Sequence, residues 1–180
     1  VNGSSGSPIV IVHDDVVLSR GWFEDMNKCV NSDDHVGVVG PMTNAVLGIQ
    51  KDSRADYGDM DRFDDYAKKF RDTNQHRRTP VRIVSDFCIM FRRALAEKIG
   101  LFDESFESPG LMVEDFCIRS ALEGFKNIIA SDVFVHHFDL HPCGFGNAEK
   151  DRKTFDAKWR SIDAGSLMGK KIYVMKNIFS

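Results

Sequence analysis

The sequence predicts an α/β protein, and three observations carry that expectation. Short apolar runs such as Ile9-Val10-Ile11-Val12 and Val36-Gly37-Val38-Val39 alternate with stretches of helical spacing such as 60–70. Gly and Pro punctuate the junctions, at Gly40-Pro41, Gly100 and Gly124. The chain has 180 residues, 42% hydrophobic and 28% charged, enough for one domain with a real core.

The elements follow in order. Residues 1–8, rich in Gly and Ser, read as a linker, a native loop or a cloning remnant. Residues 9–12 are all β-branched and read as a fully buried strand. Ser19 is placed to cap a helix over about 21–30, with Trp22, Phe23, Met26 and Val30 on one face. A second strand at 36–39 is expected to stop at Gly40-Pro41, and 42–59 reads as a long functional loop. Phe63, Tyr66, Ala67 and Phe70 mark a helix over 60–70, and 73–80 reads as a basic connection. A strand over 82–91 leads to a helix over 93–99, ended by Gly100. The loop 101–106 carries two aromatic anchors, Phe102 and Phe106. Further helices are expected at about 114–123 and before Trp159, with an interrupted strand at 127–135 and a loop at 139–147 between them. The domain is thus placed at 9–160, followed by a basic tail at 161–180 with no assigned element.

A net charge of −3 argues against a broad nucleic-acid surface. The basic pairs Arg77-Arg78, Arg92-Arg93 and Lys170-Lys171 read as solvated faces. Cys29, Cys88, Cys117 and Cys143 show no CxxC spacing, so buried reduced thiols in a reducing compartment are expected. No stretch approaches the roughly 18 apolar residues of a membrane span. A cytoplasmic location, including the cytoplasmic face of a membrane, is the corresponding expectation.

Two acidic stretches and a histidine pair carry the chemistry. The first strand ends abruptly in His13-Asp14-Asp15, Glu114-Asp115 opens a helical stretch, and His136-His137 follows a strand. Carboxylates at the end of a buried strand are costly unless a cation is held there. Oxygen ligands suit Mg²⁺ or Mn²⁺, and imidazole can join a Mn²⁺ site. Taken alone, Asp14-Asp15 reads equally well as a strand-end turn, and the histidines as one core and one surface residue.

In longer stretches the text resembles glycosyltransferase family 2, in its polysaccharide and O-antigen-building branch. The resemblance is carried by His13-Asp14-Asp15-Val16-Val17-Leu18-Ser19-Arg20-Gly21-Trp22, Val39-Gly40-Pro41-Met42-Thr43-Asn44 and Phe87-Cys88-Ile89-Met90-Phe91-Arg92-Arg93. It continues through Ile99-Gly100-Leu101-Phe102-Asp103-Glu104-Ser105-Phe106, Glu114-Asp115-Phe116-Cys117-Ile118-Arg119, Val135-His136-His137-Phe138 and Phe155-Asp156-Ala157-Lys158-Trp159.

The resemblance implies a GT-A fold, with a mixed central sheet flanked by helices. It also implies inverting transfer from a nucleotide-diphospho-sugar donor to a saccharide acceptor, assisted by Mn²⁺ or Mg²⁺. His13-Asp14-Asp15 stands where the family has Asp-x-Asp, which makes Asp15 the leading metal ligand and His13 a further one. A later histidine, His136 or His137, completes the metal site. Asp14 would reach a ribose or sugar hydroxyl, since neighbours leave a strand on opposite sides. Asp115 is the expected base, with Glu114 second; two further acidic positions common in the family fall on Met112 and Val113. Asn44, with Thr43 and Gln50 in the loop, is a candidate for donor or acceptor contacts, alongside ordinary turn chemistry.

The family's nucleotide-binding units precede the Asp-x-Asp strand, so the chain reads as a fragment that begins near the metal strand. An apolar strand edge left open there invites a second copy, hence an expected homo-oligomer. Two other readings compete: a non-catalytic carbohydrate-binding or scaffolding module, and a metal-dependent phosphoester hydrolase. The hydrolase would need more bridging carboxylates and histidines.

Overall fold

Branched and aromatic runs pair into a six-stranded mixed sheet with five α-helices packed against it. The computed structural model describes residues 8–139 and 148–160. The strands are β1 (Ile9–Val12), β2 (Val16–Val17), β3 (Val36–Thr43), β4 (Arg78–Val81), β5 (Cys88–Phe91) and β6 (Lys126–His137). The helices are α1 (Trp22–Val30), α2 (Phe63–Thr73), α3 (Arg93–Ile99), α4 (Pro109–Leu122) and α5 (Ala148–Trp159). Residues 1–7, the loop 140–147 with Cys143, and the tail 161–180 lie outside the described residues.

The sheet order is β1-β5-β3-β6-β2, with β4 also on β6. Long β6 is its axis: β3 runs parallel to it, while β4 and β2 pair antiparallel with its two ends. Helices cover both faces, so residues of one strand alternate between two cores. Ile89 and Phe91 join Leu95 and Phe116 on the face of α3 and α4. Met90 joins Met26 and Val30 on the face of α1. A third cluster packs Phe63, Ala67 and Phe70 of α2 on Phe134 of β6.

Several elements depart from expectation for identifiable reasons. β1 is half-buried rather than fully buried, because it stands at the sheet edge with β5 as its strand partner among the described residues. Ser19 does not cap α1. Gly21 holds that position at φ 77°, and the Ser19 hydroxyl donates to the Phe134 carbonyl at 2.8 Å, pinning the helix entrance to β6. β3 continues through Gly40-Pro41 to Thr43; Pro41 is tolerated at a register irregularity beyond the stretch that pairs with β5.

The basic connection contains β4, and the expected strand over 82–91 contracts to β5. Residues 82–87 form a loop, held by Gln50 and Asn127. β6 is uninterrupted, since Asp132 within it is ion-paired with Arg78 and accepts the His76 N–H. α4 starts at Pro109, which places Glu114 and Asp115 in its second turn.

Cys29, Cys88 and Cys117 are buried free thiols, and burial pushes the Cys88 thiol up to about 12. No helix among the described residues is long and apolar enough to cross a membrane.

Candidate metal centre

The sheet brings the ends of β1 and β6 together. The His13 N–H donates to the Phe87 carbonyl at 2.9 Å, carrying the β1–β5 ladder one residue further. A turn through Asp14 and Asp15 then sends β2 onto the end of β6, where Val16 stands opposite His137. As a result His13, Asp15 and His137 each offer a ligand atom, all within 4.8 Å of one another. Asp15 and His137 are buried and His13 is half-buried.

The donor set fits a divalent ion. The His137 Nδ1 lies 2.7 Å from the Ala45 carbonyl, which can only accept, so Nδ1 carries the proton. In the neutral ring Nε2 therefore turns its lone pair toward Asp15 Oδ1, 3.2 Å away. Two acceptors at that distance call for a proton or a cation between them. An Nδ1–H bonded to a backbone carbonyl is the usual orienting arrangement behind a metal-bound imidazole.

The same histidine is fixed from other sides. The Asn44 amide nitrogen donates to the His137 carbonyl at 3.0 Å, and its oxygen accepts the His137 N–H at 2.9 Å. Phe87 stacks on the ring, with centroids 5.4 Å apart and planes at 20°. Asn44 thus serves the site from behind. Asn44→Ala is expected to weaken Mn²⁺ binding about 10–100-fold, measured by calorimetry.

His13 has an orienting partner that the sequence reading did not include. Asp86 Oδ2 lies 3.5 Å from its Nε2. That carboxylate raises the His13 pKa above 6.5, and burial opposes it only in part. A metal ligand must be neutral, so the proton competes with the metal to a higher pH than at an ordinary histidine. Mn²⁺ affinity should therefore fall, as pH is lowered, with a midpoint higher than a histidine without that carboxylate would give. In Asp86→Asn that midpoint should move down, as a pH series of Mn²⁺ titrations would register. Asp86 was hidden because 82–91 read as one strand, and its neighbour is apparent only from the β1–β5 pairing.

The remaining expected residues are placed as follows. His136 does not join the cluster: it leaves β6 on the other side and meets the Tyr57 hydroxyl through Nδ1. Burial, with His137 beside it, lowers its pKa. Asp14 is exposed at the tip of the turn. Thr43 is fully buried and bonds Asn44. Gln50 is buried, donating to the Pro41 carbonyl at 2.8 Å and accepting the Ser85 N–H at 2.7 Å. These bonds make Thr43 and Gln50 braces of the frame rather than open contacts for a sugar.

The acidic pair on α4 splits. Asp115 is 0% exposed, with Arg119 Nε at 2.8 Å on one oxygen and Lys158 Nζ at 2.7 Å on the other. Trp159 Nε1 donates to that second oxygen at 3.1 Å. Its carboxylate is engaged by these partners, so acting as the expected base would require release from two ion pairs. Glu114 is half-buried, and burial raises its pKa against the pull of Arg152 and Arg82. It stands one turn after Gly110, where an added Cβ would lie 3.6 Å from Asp86 Oδ2. Residues four apart share a helix face, so Glu114 is on the side of α4 toward Asp86.

No protein-family model and no curated protein sequence matches this chain. The glycosyltransferase resemblance rests on the order of its motifs.

Proposed function

We propose that this chain carries the chemistry of an inverting glycosyltransferase using a nucleoside-diphospho-sugar donor and a saccharide acceptor. The observation that carries the reading is the strand-end cluster of His13, Asp15 and His137, with His137 held in the tautomer that a metal requires. Two imidazoles beside one carboxylate favour Mn²⁺ over Mg²⁺. A bound ion would supply Lewis-acid stabilisation of the charge that develops on the leaving diphosphate. Asp15, His137 and His13 would hold it, with Asn44, Ala45 and Asp86 orienting the two histidines.

Glu114 is the carboxylate suited to accept the proton of the acceptor hydroxyl. A base works best with a pKa near the working pH, and burial moves Glu114 upward. Glu114→Gln is expected to lower kcat about 10²–10⁴-fold. The acidic limb of the pH–rate profile should lie above the ordinary carboxylate range in the parent and vanish in the variant.

A non-catalytic saccharide-binding module is the second reading, favoured by the engagement of Asp115 in ion pairs. Thermal melts separate the two. Mn²⁺ should raise Tm, and a nucleoside diphosphate should add to it only when Mn²⁺ is present. A rise with free saccharide, and none with Mn²⁺ plus diphosphate, would contradict the transferase.

A further inference from the structure

We propose that a groove running from His137 past Tyr57 to Lys69 is a saccharide-binding track long enough for more than one sugar residue. The proposal rests on the transferase reading and deepens it, since it says where the acceptor chain lies.

Two adjoining hollows of about 300 and 400 Å³ share Tyr57 and Gly58. Each reaches the roughly 300–1,000 Å³ of small-ligand sites. The first begins at Asn44 and His137, beside the candidate metal ligands, and is walled by Met60 and Phe138. Those two apolar side chains are 38% and 48% exposed. The second continues over α2 between Asp56, Arg62, Asp65, Tyr66 and Lys69.

The lining matches a sugar better than a phosphate or an apolar peptide. Aromatic rings and the Met60 side chain offer apolar surface for the C–H faces of a pyranose. Carboxylates accept from hydroxyls, while Arg and Lys donate to them. Asp56, Asp59 and Asp65 outnumber Arg62 and Lys69, so the groove has no excess positive charge for a polyphosphate. The charged walls are equally unsuited to an apolar segment.

The tyrosine side chains along this open groove are held in place by bonds of their own. The Tyr57 hydroxyl meets His136 Nδ1, and the Tyr66 hydroxyl donates to Asp52 at 3.0 Å. Asp52 is itself buried and accepts from Arg54 at 3.1 Å. The two rings lie 5.1 Å apart and pack on Phe134. A wall fixed before the ligand arrives loses little entropy on binding.

The test uses the full chain in EDTA on an array of immobilised glycans. It should carry oligosaccharides of neutral hexoses, N-acetylhexosamines, deoxyhexoses and uronates. Binding to at least one class is expected, weakened about tenfold or more in Asp65→Ala and in Lys69→Ala, each removing a hydrogen bond to a charged group. Both side chains are exposed on α2, so melts of these variants should match the parent. Asp15→Ala should abolish the Mn²⁺–diphosphate response and leave glycan binding intact, which keeps failure of the metal reading distinct from failure of the groove. Absence of binding to every class, or binding unchanged in both α2 variants, would overturn the proposal. Displacement of the glycan by UDP in EDTA would overturn it too, by assigning the groove to the nucleotide.

Discussion

Asp15→Ala is expected to abolish the Mn²⁺ response of this chain while leaving it folded. Asp15 is the one carboxylate of the candidate centre, and its oxygen lies 3.2 Å from the Nε2 of His137. A metal site of two neutral imidazoles has no formal charge to hold a dication. The loss should therefore exceed the about 10–100-fold that an orienting partner such as Asn44 is worth. The substitution of Asp15 removes a buried carboxylate that faces an imidazole lone pair, and the β2–β6 pairing is made by backbone. Calorimetry with Mn²⁺ and a thermal melt of the same variant check both halves. Unchanged Mn²⁺ affinity would remove Asp15 from the site.

Asp115→Ala is expected to have the opposite character, a large loss of stability of about 3–5 kcal/mol. The substitution removes the one fully buried carboxylate that two cations and an indole N–H share. Arg119 also donates to the carbonyls of Ile99 and Leu101 at 2.6 and 2.7 Å, so the end of α3 depends on its position. Lys158 reaches Asp103 at 2.5 Å and docks α5. α5 in turn supplies Asp151, whose buried carboxylate accepts the N–H groups of Glu107 and Ser108 at 2.9 and 2.6 Å. That contact caps the start of α4 from another helix. One substitution thus loosens α3, α4 and α5 together, in a protein class whose whole stability is about 5–15 kcal/mol. Urea denaturation of Asp115→Ala and of the milder Asp115→Asn measures it. A variant that melts like the parent yet loses transfer would restore Asp115 as the base.

These two aspartates show what could be read from the chain alone. Asp15 was legible because an abrupt apolar-to-acidic boundary marks a strand end, whatever the strand pairs with. The strands at 9–12 and 36–39, and the helices at 60–70 and 93–99, were legible in the main from apolar runs and helical spacing. Asp115 was not. Its pairing with Arg119 is local and follows from helical spacing, but the contacts with Lys158 and Trp159 come from a helix far along the chain.

The choice between His136 and His137 likewise depended on which face of β6 meets β2. β4 was hidden by Pro80 and a basic pair, which an edge position tolerates. Val84 and Phe87 made the loop before β5 read as strand, since both are buried without belonging to one. α4 opens at Pro109, ahead of the expected start at about 114, because proline suits the first helical position.

The most direct measurement is the electron-spin-echo spectrum of Mn²⁺ added to the full chain, recorded for the parent and for His137→Ala and His136→Ala. The account predicts imidazole-nitrogen coupling in the parent, retained in His136→Ala and reduced or lost in His137→Ala. Coupling that survives in His137→Ala and disappears in His136→Ala, or no imidazole coupling at all, would contradict a centre built from His13, Asp15 and His137.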